Sequence, residues 1–177
     1  MDHTSHFLLR HGYLLLSGWV FAEQMGVPLP ALPLLLAAGA AAGRGELSFA
    51  LLLALAVLAA ALSDSLWYWI GKRRGGKVLS FLCRISLEPD SCVRDTQAMF
   101  TRRGPSSLLV AKFIPGLGTV SMPLAGIVAM PYPTFLAFEL TGTLLWALTL
   151  LATGYIFTEQ LDLILDYLHS GRLLLLA

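Results

Sequence analysis

Apolar residues run almost without a break through residues 47–71 and 134–157. A bilayer core about 30 Å thick takes about 20 residues of helix, so each run is predicted to span as one. The remaining apolar sequence is punctuated by proline. Residues 12–26 carry Glu23 and lead into Pro28, Pro30 and Pro33, after which residues 34–43 resume as an Ala- and Leu-rich segment. Proline removes a backbone donor and crowds the preceding turn. No unbroken helix is therefore expected here, and residues 12–43 read as a re-entrant hairpin: a half-helix in, an irregular tip, a half-helix out. One long kinked helix is the alternative. Residues 105–130 repeat the design, with short apolar arms at 105–114 and 124–130. The stretch from Lys112 to Gly126 holds one cation, two prolines and three glycines and is expected to be unwound. Irregular backbone at membrane depth must line a cavity or be buried in protein.

Around these elements lie shorter pieces. Residues 1–11 read as a polar interfacial turn. Asp64, Trp67, Tyr68 and Gly71 share one face of the first long helix, which is expected to stop in the basic run 71–76. Residues 77–87 are too short to span. Residues 89–103 place Cys92, Val93, Thr96, Met99 and Phe100 on one face, as a helix on the membrane surface would. Residues 161–168 are amphipathic and acidic. The apolar run at 172–177 reads as the start of a further helix in a longer chain.

Proline tip, small-residue arm and long helix occur twice in the same order, and eight of the nine prolines lie in or beside the two hairpins. Two such units running in opposite directions are expected to form an inverted repeat, an arrangement used by transporters. The whole of residues 1–177 is expected to be one membrane domain.

Composition agrees. Hydrophobic residues make up 56% of the 177 and charged residues 13%, with a mean hydropathy of +0.73. Average chains are about 25% charged. The fold class expected is an all-α integral membrane protein, because a β-barrel would alternate apolar and polar residues. Eight of the twelve Lys and Arg residues fall in 72–103, against three acids. The positive-inside rule makes that segment cytoplasmic, and the two long runs make the protein multi-pass. Cys83 and Cys92 lack a C-x-x-C spacing and read as reduced structural thiols.

Four ionisable residues sit in or near the apolar runs: Glu23, Asp64, Lys112 and Glu139. A charge at the centre of a bilayer costs about 2.5–3.5 kcal/mol on insertion scales, so such groups pair or face water. Interhelical ion pairs are the plain reading. Lys112, beside glycines that free backbone N–H groups, also suits an anion, with Pro115, Gly116 and Gly118 completing a substrate-binding segment. Glu23, partly desolvated beside a broken helix, is a candidate for proton exchange, with Asp64 and Glu139 as further candidates. No H-E-x-x-H, G-x-S-x-G, Walker A or dinucleotide pattern is present, so no enzyme activity, metal or cofactor is expected.

The segments Phe21-Ala22-Glu23 into Pro28-x-Pro30, Asp64-x-x-Trp67-Tyr68-x-Ile70-Gly71 and Lys112-Phe113-Ile114-Pro115-Gly116 with Pro123-Leu124-Ala125-Gly126 resemble the DedA family of bacterial inner-membrane proteins. That family is related to the VTT-domain lipid scramblases. The resemblance covers nearly the whole chain. It implies the bacterial inner membrane, two opposed re-entrant hairpins and transport of a lipid phosphate, typically undecaprenyl phosphate. The chain departs from the family where R-x-x-P-x-x-R is frequent: Lys112, Pro115 and Gly118 stand there. Ala31 and Leu32 stand where many members carry an acid. Expected partners are membrane lipid or a polyprenyl phosphate, with no nucleic acid; a homo-oligomer is an open alternative. The alternative functions are an energy-independent scramblase and a membrane anchor for a sulfurtransferase-like domain beyond Ala177.

Overall fold

The computed structural model describes residues 3–85, 104–114 and 117–158, and among these all regular structure is helical. Six α-helices follow one another: α1 (His3–Gln24), α2 (Ala31–Gly43), α3 (Phe49–Ile85), α4 (Ser107–Ala111), α5 (Leu117–Ile127) and α6 (Tyr132–Ile156). A single 3-10 turn, Gly104–Ser106, leads into α4. Two stretches are long and apolar enough to cross a membrane, Phe49–Gly75 and Tyr132–Ile156. At 1.5 Å per residue they measure about 40 and 37 Å, enough for a tilted span.

Prolines mark where helices begin. The chain breaks between Gln24 and Ala31, and Pro30 precedes α2 while Pro33 sits in its first turn, where the missing N–H has no intrahelical role. Pro131 and Pro133 frame the start of α6 in the same way. Two expectations need correcting and one holds. The first arm is not a half-helix from residue 12, since α1 begins at His3 and takes in the segment read as an interfacial turn. The first long helix does end within 71–76 as expected: Gly75 has non-helical backbone angles (φ 18°, ψ −98°), which close the span Phe49–Gly75, and the remainder of α3 to Ile85 is a second helix beyond that kink. The stretch 112–126 is not unwound throughout, because Leu117–Ile127 is helical with Pro123 inside it. That helix keeps Pro123 in its interior while packing along α3. The surface helix expected at 89–103 and everything after residue 158 lie outside the described residues, as do the side chains of Cys83 and Cys92.

Helices α2 and α6 pack along one seam, α3 and α5 along another. Both seams are closed by glycine. A Cβ on Gly39 would run into the carbonyl of Leu151, and one on Gly154 into the carbonyl of Leu36. In the second seam a Cβ on Gly71 would meet the Pro123 carbonyl, and one on Gly126 the Tyr68 carbonyl. Each glycine therefore lies three residues after the carbonyl that its opposite glycine approaches. Small residues of this kind let membrane helices approach backbone to backbone.

Two apolar clusters fill the interior. One joins Leu16, Val20, Leu35, Leu52, Ala56 and Leu151 across α1, α2, α3 and α6. The other joins Tyr68, Leu108, Met122, Leu124 and Phe135 across α3 to α6. Tyr68 anchors the second: its ring stacks on Phe135 at 4.6 Å and its hydroxyl donates to the Met130 carbonyl at 2.6 Å.

Candidate functional site

The long helices each carry a single buried face that passes through both clusters. On α3 it reads Leu52, Ala56, Ala60, Asp64, Tyr68, and on α6 Phe135, Glu139, Thr143, Ala147, Leu151, all in steps of four. Steps of four keep side chains on one side of a helix. The acids thus sit where the two apolar clusters meet, and both are buried. Lys112 reaches them from the turn after α4. Its ammonium pairs with Asp64 Oδ2, and the two side chains are each 2% exposed. Glu139 Oε1 lies 3.6 Å from the same Nζ and accepts a hydrogen bond from Thr143 Oγ1 at 2.5 Å. Gln24 Oε1 accepts from Lys112 Nζ at 3.3 Å. Among the described residues, Glu139 Oε2 and Ser63 Oγ are buried with no hydrogen-bond partner.

Glu23 has a different setting. Its Oε1 accepts the backbone N–H of Ala31 at 3.0 Å, so a carboxylate caps the first turn of α2 across the proline tip. Gln24 sits between the two groups: its side-chain nitrogen is 3.5 Å from Glu23 Oε2, and its backbone carbonyl accepts from Trp67 Nε1 at 3.2 Å. Trp19 Nε1 donates to the Pro30 carbonyl at 3.3 Å and ties the tip to α1.

Between the two proline-marked breaks lies a cleft of about 430 Å³. Glu23, Gln24 and Pro30 line it from the first break, Lys112, Phe113 and Gly118 from the second, and Trp146 and Leu150 from α6. That volume falls in the range of small-molecule sites. The wall is mostly apolar with a polar end, a composition suited to an amphipathic molecule. Lys112 stands at the junction, with the cleft on one side and the buried acids on the other.

Of the residues singled out in the sequence, the structure brings Asp64, Lys112 and Glu139 into one cluster and sets Glu23 and Gly118 on the adjoining cleft. Pro115 and Gly116 lie outside the described residues. Gln24, Thr143 and Trp146 were not singled out. Thr143 falls one turn beyond Glu139 on the same face, a spacing visible in the sequence, whereas Gln24 and Trp146 join only through tertiary packing. Among the described residues no group of His, Cys, Asp and Glu is arranged to hold a metal.

A family model described as the VTT domain matches residues 29–156, from the first proline tip to the end of α6. The chain belongs to the VTT-domain (DedA) family. Among its relatives is an uncharacterized membrane protein of Synechocystis, 30% identical over 146 residues, covering 82% of this chain and 67% of the relative. An uncharacterized membrane protein of Mycobacterium tuberculosis is 33% identical over 139 residues, covering 76% and 64%. Protein DedA of Escherichia coli is 29% identical over 163 residues, covering 88% and 74%. The chain thus spans about two thirds of the length of the first two of these relatives. No solved structure matches it. With this family and its two long apolar helices, the VTT-domain chain is a helical membrane protein.

Proposed function

We propose that this VTT-domain protein carries an amphipathic lipid phosphate of the polyprenyl-phosphate class across the bacterial inner membrane, coupled to proton exchange. The observation that carries this reading is the position of Lys112. It lies at the second helix break, on the wall of a cleft, with its ammonium held by carboxylates from both long helices. The cleft offers an apolar wall to an isoprenoid tail and a polar end to a headgroup. In this conformation the ammonium is engaged with Asp64, so a phosphate reaches it by displacing that carboxylate. One ammonium faces two carboxylates, and with all three ionised the cluster carries an excess negative charge. A bound proton balances that excess, and an incoming anion adds to it. Phosphate binding at Lys112 and proton uptake by Asp64 or Glu139 are thereby linked.

The same reading takes the chain as two inverted units. Support comes from the paired glycine seams: the arm of each unit packs on the long helix of the other, with glycine and facing carbonyl three residues apart on all four surfaces. Residues 72–103, rich in Lys and Arg, are then cytoplasmic.

The test uses purified protein in vesicles loaded with polyprenyl phosphate, with and without a proton gradient. Translocation biased by the gradient supports coupled transport. Translocation indifferent to it favours an energy-independent scramblase, and no translocation in either case overturns the proposal.

A further inference from the structure

The cationic end of α3 carries a second cleft, on the outer face of the helix and apart from Lys112. Leu66, Trp69, Ile70, Arg73 and Arg74 line it, enclosing about 400 Å³. Their spacing follows from helix geometry, since i, i+3, i+4, i+7 and i+8 form one stripe. The stripe is graded. Its inner end is apolar and open, with Leu66 47% and Trp69 41% exposed, and its outer end holds two guanidinium groups.

Trp69 sits at the boundary and is held there by its neighbours. The Lys72 ammonium lies 5.3 Å and the Arg73 guanidinium 6.0 Å from its ring, while the Tyr68 and Tyr132 rings each lie at 5.7 Å. Tryptophan with adjacent cations marks the headgroup level of a bilayer. No Asp or Glu occurs between Asp64 and Glu88, so no acid close in sequence competes for Arg73 and Arg74.

From this geometry we infer a binding site for a membrane phospholipid with an anionic headgroup. The phosphate is received by Arg73 and Arg74, and an acyl chain lies along Leu66 and Ile70 past the Trp69 ring. The occupant is a resident lipid of the leaflet at that end of α3. The inference does not rest on the transport reading, and either can fail without the other.

Native mass spectrometry of the full chain in detergent tests it, with phosphatidylglycerol titrated against phosphatidylcholine. Wild-type protein should retain phosphatidylglycerol preferentially. Exchanging both guanidiniums (Arg73→Gln with Arg74→Gln) should weaken that binding by about tenfold or more, given roughly 1 kcal/mol per basic residue at an anionic surface. Leu66→Ser should weaken binding of both lipids, and Lys112→Met should leave phosphatidylglycerol binding unchanged. Thermal unfolding in the same detergent, expected to match the wild type for the exposed Leu66 and arginine changes and to fall for the buried Lys112→Met, separates lost binding from lost fold. Equal retention of the two lipids, or full retention by the folded double arginine variant, overturns the inference. So does a loss matching that of the arginine pair in Lys112→Met protein that remains folded at the assay temperature, which would put the lipid in the central cleft. Displacement by glycerol phosphate alone at equal concentration would show a free-phosphate site instead.

Discussion

Lys112 and Asp64 are separated by 48 positions in the chain, yet they form an ion pair with both side chains almost fully buried. A buried ion pair is weak evidence of stability as a unit, but removing one member leaves the other charge uncompensated, at a cost of about 3–5 kcal/mol. The two members are not equivalent here. Asp64→Asn leaves Lys112 within 3.6 Å of Glu139, whereas Lys112→Met leaves two buried carboxylates facing each other. Unfolding in detergent should therefore show Lys112→Met as the more destabilised variant, with Asp64→Asn added to it recovering part of the loss. Equal destabilisation by the two single changes would contradict this.

Glu23 is predicted to have separable structural and functional roles. Glu23→Ala removes the acceptor for the Ala31 N–H and should cost about 0.5–2 kcal/mol, the usual loss for a helix cap. Glu23→Gln keeps a carbonyl acceptor and should hold most of that stability while losing proton exchange. A transport assay beside a melting curve checks both. Wild-type transport by the folded glutamine variant would remove Glu23 from the coupling scheme.

The glycine seams should tolerate nothing larger. Gly71→Ala and Gly126→Ala each set a methyl against a backbone carbonyl of the facing helix, as do Gly39→Ala and Gly154→Ala in the other seam. Each should destabilise by about 1–3 kcal/mol, the range for overpacking. Gly18→Ala is the control, since a Cβ there meets nothing within 4 Å. Similar melting temperatures for Gly18→Ala and Gly71→Ala would argue against the packing described.

Much of this site was legible in the sequence, because helical periodicity is a local signal. Asp64, Tyr68 and Gly71 sit on one face by spacing alone, and the structure uses that face. The breaks before α2 and α6 follow from prolines. What escaped depends on contacts distant in sequence. That Lys112 answers both Asp64 and Glu139 is a tertiary fact, since either acid had other cations available on paper. Pro123 reads as a helix breaker, yet it lies inside α5, where its carbonyl packs against Gly71. Glu23 reads as a candidate for proton exchange, and its role as a helix cap is visible only once the chain folds back and presents the Ala31 N–H to it.

Gly118 lies on the wall of the central cleft. A Cβ there would lie 3.5 Å from the Ala111 carbonyl, an ordinary contact, and the residue faces the cleft. Gly118→Arg should therefore be accommodated and add a cation to the cleft. Binding of a polyprenyl phosphate, followed by quenching of tryptophan fluorescence, should tighten by about tenfold, as a charge-assisted contact of about 1.5 kcal/mol implies. Unchanged affinity in a folded variant would mean that the phosphate does not enter this cleft.

The central claim is that the Asp64–Lys112–Glu139 cluster serves transport and is more than a packing device. A charge-silent triple variant, Asp64→Asn with Lys112→Met and Glu139→Gln, separates the two, because it leaves no unpaired charge in the interior. Its translocation of polyprenyl phosphate in vesicles is the most direct measurement. A folded protein with a melting temperature near that of the wild type and no gradient-driven translocation is expected. Translocation at the wild-type rate would show that the cluster only holds the helices together.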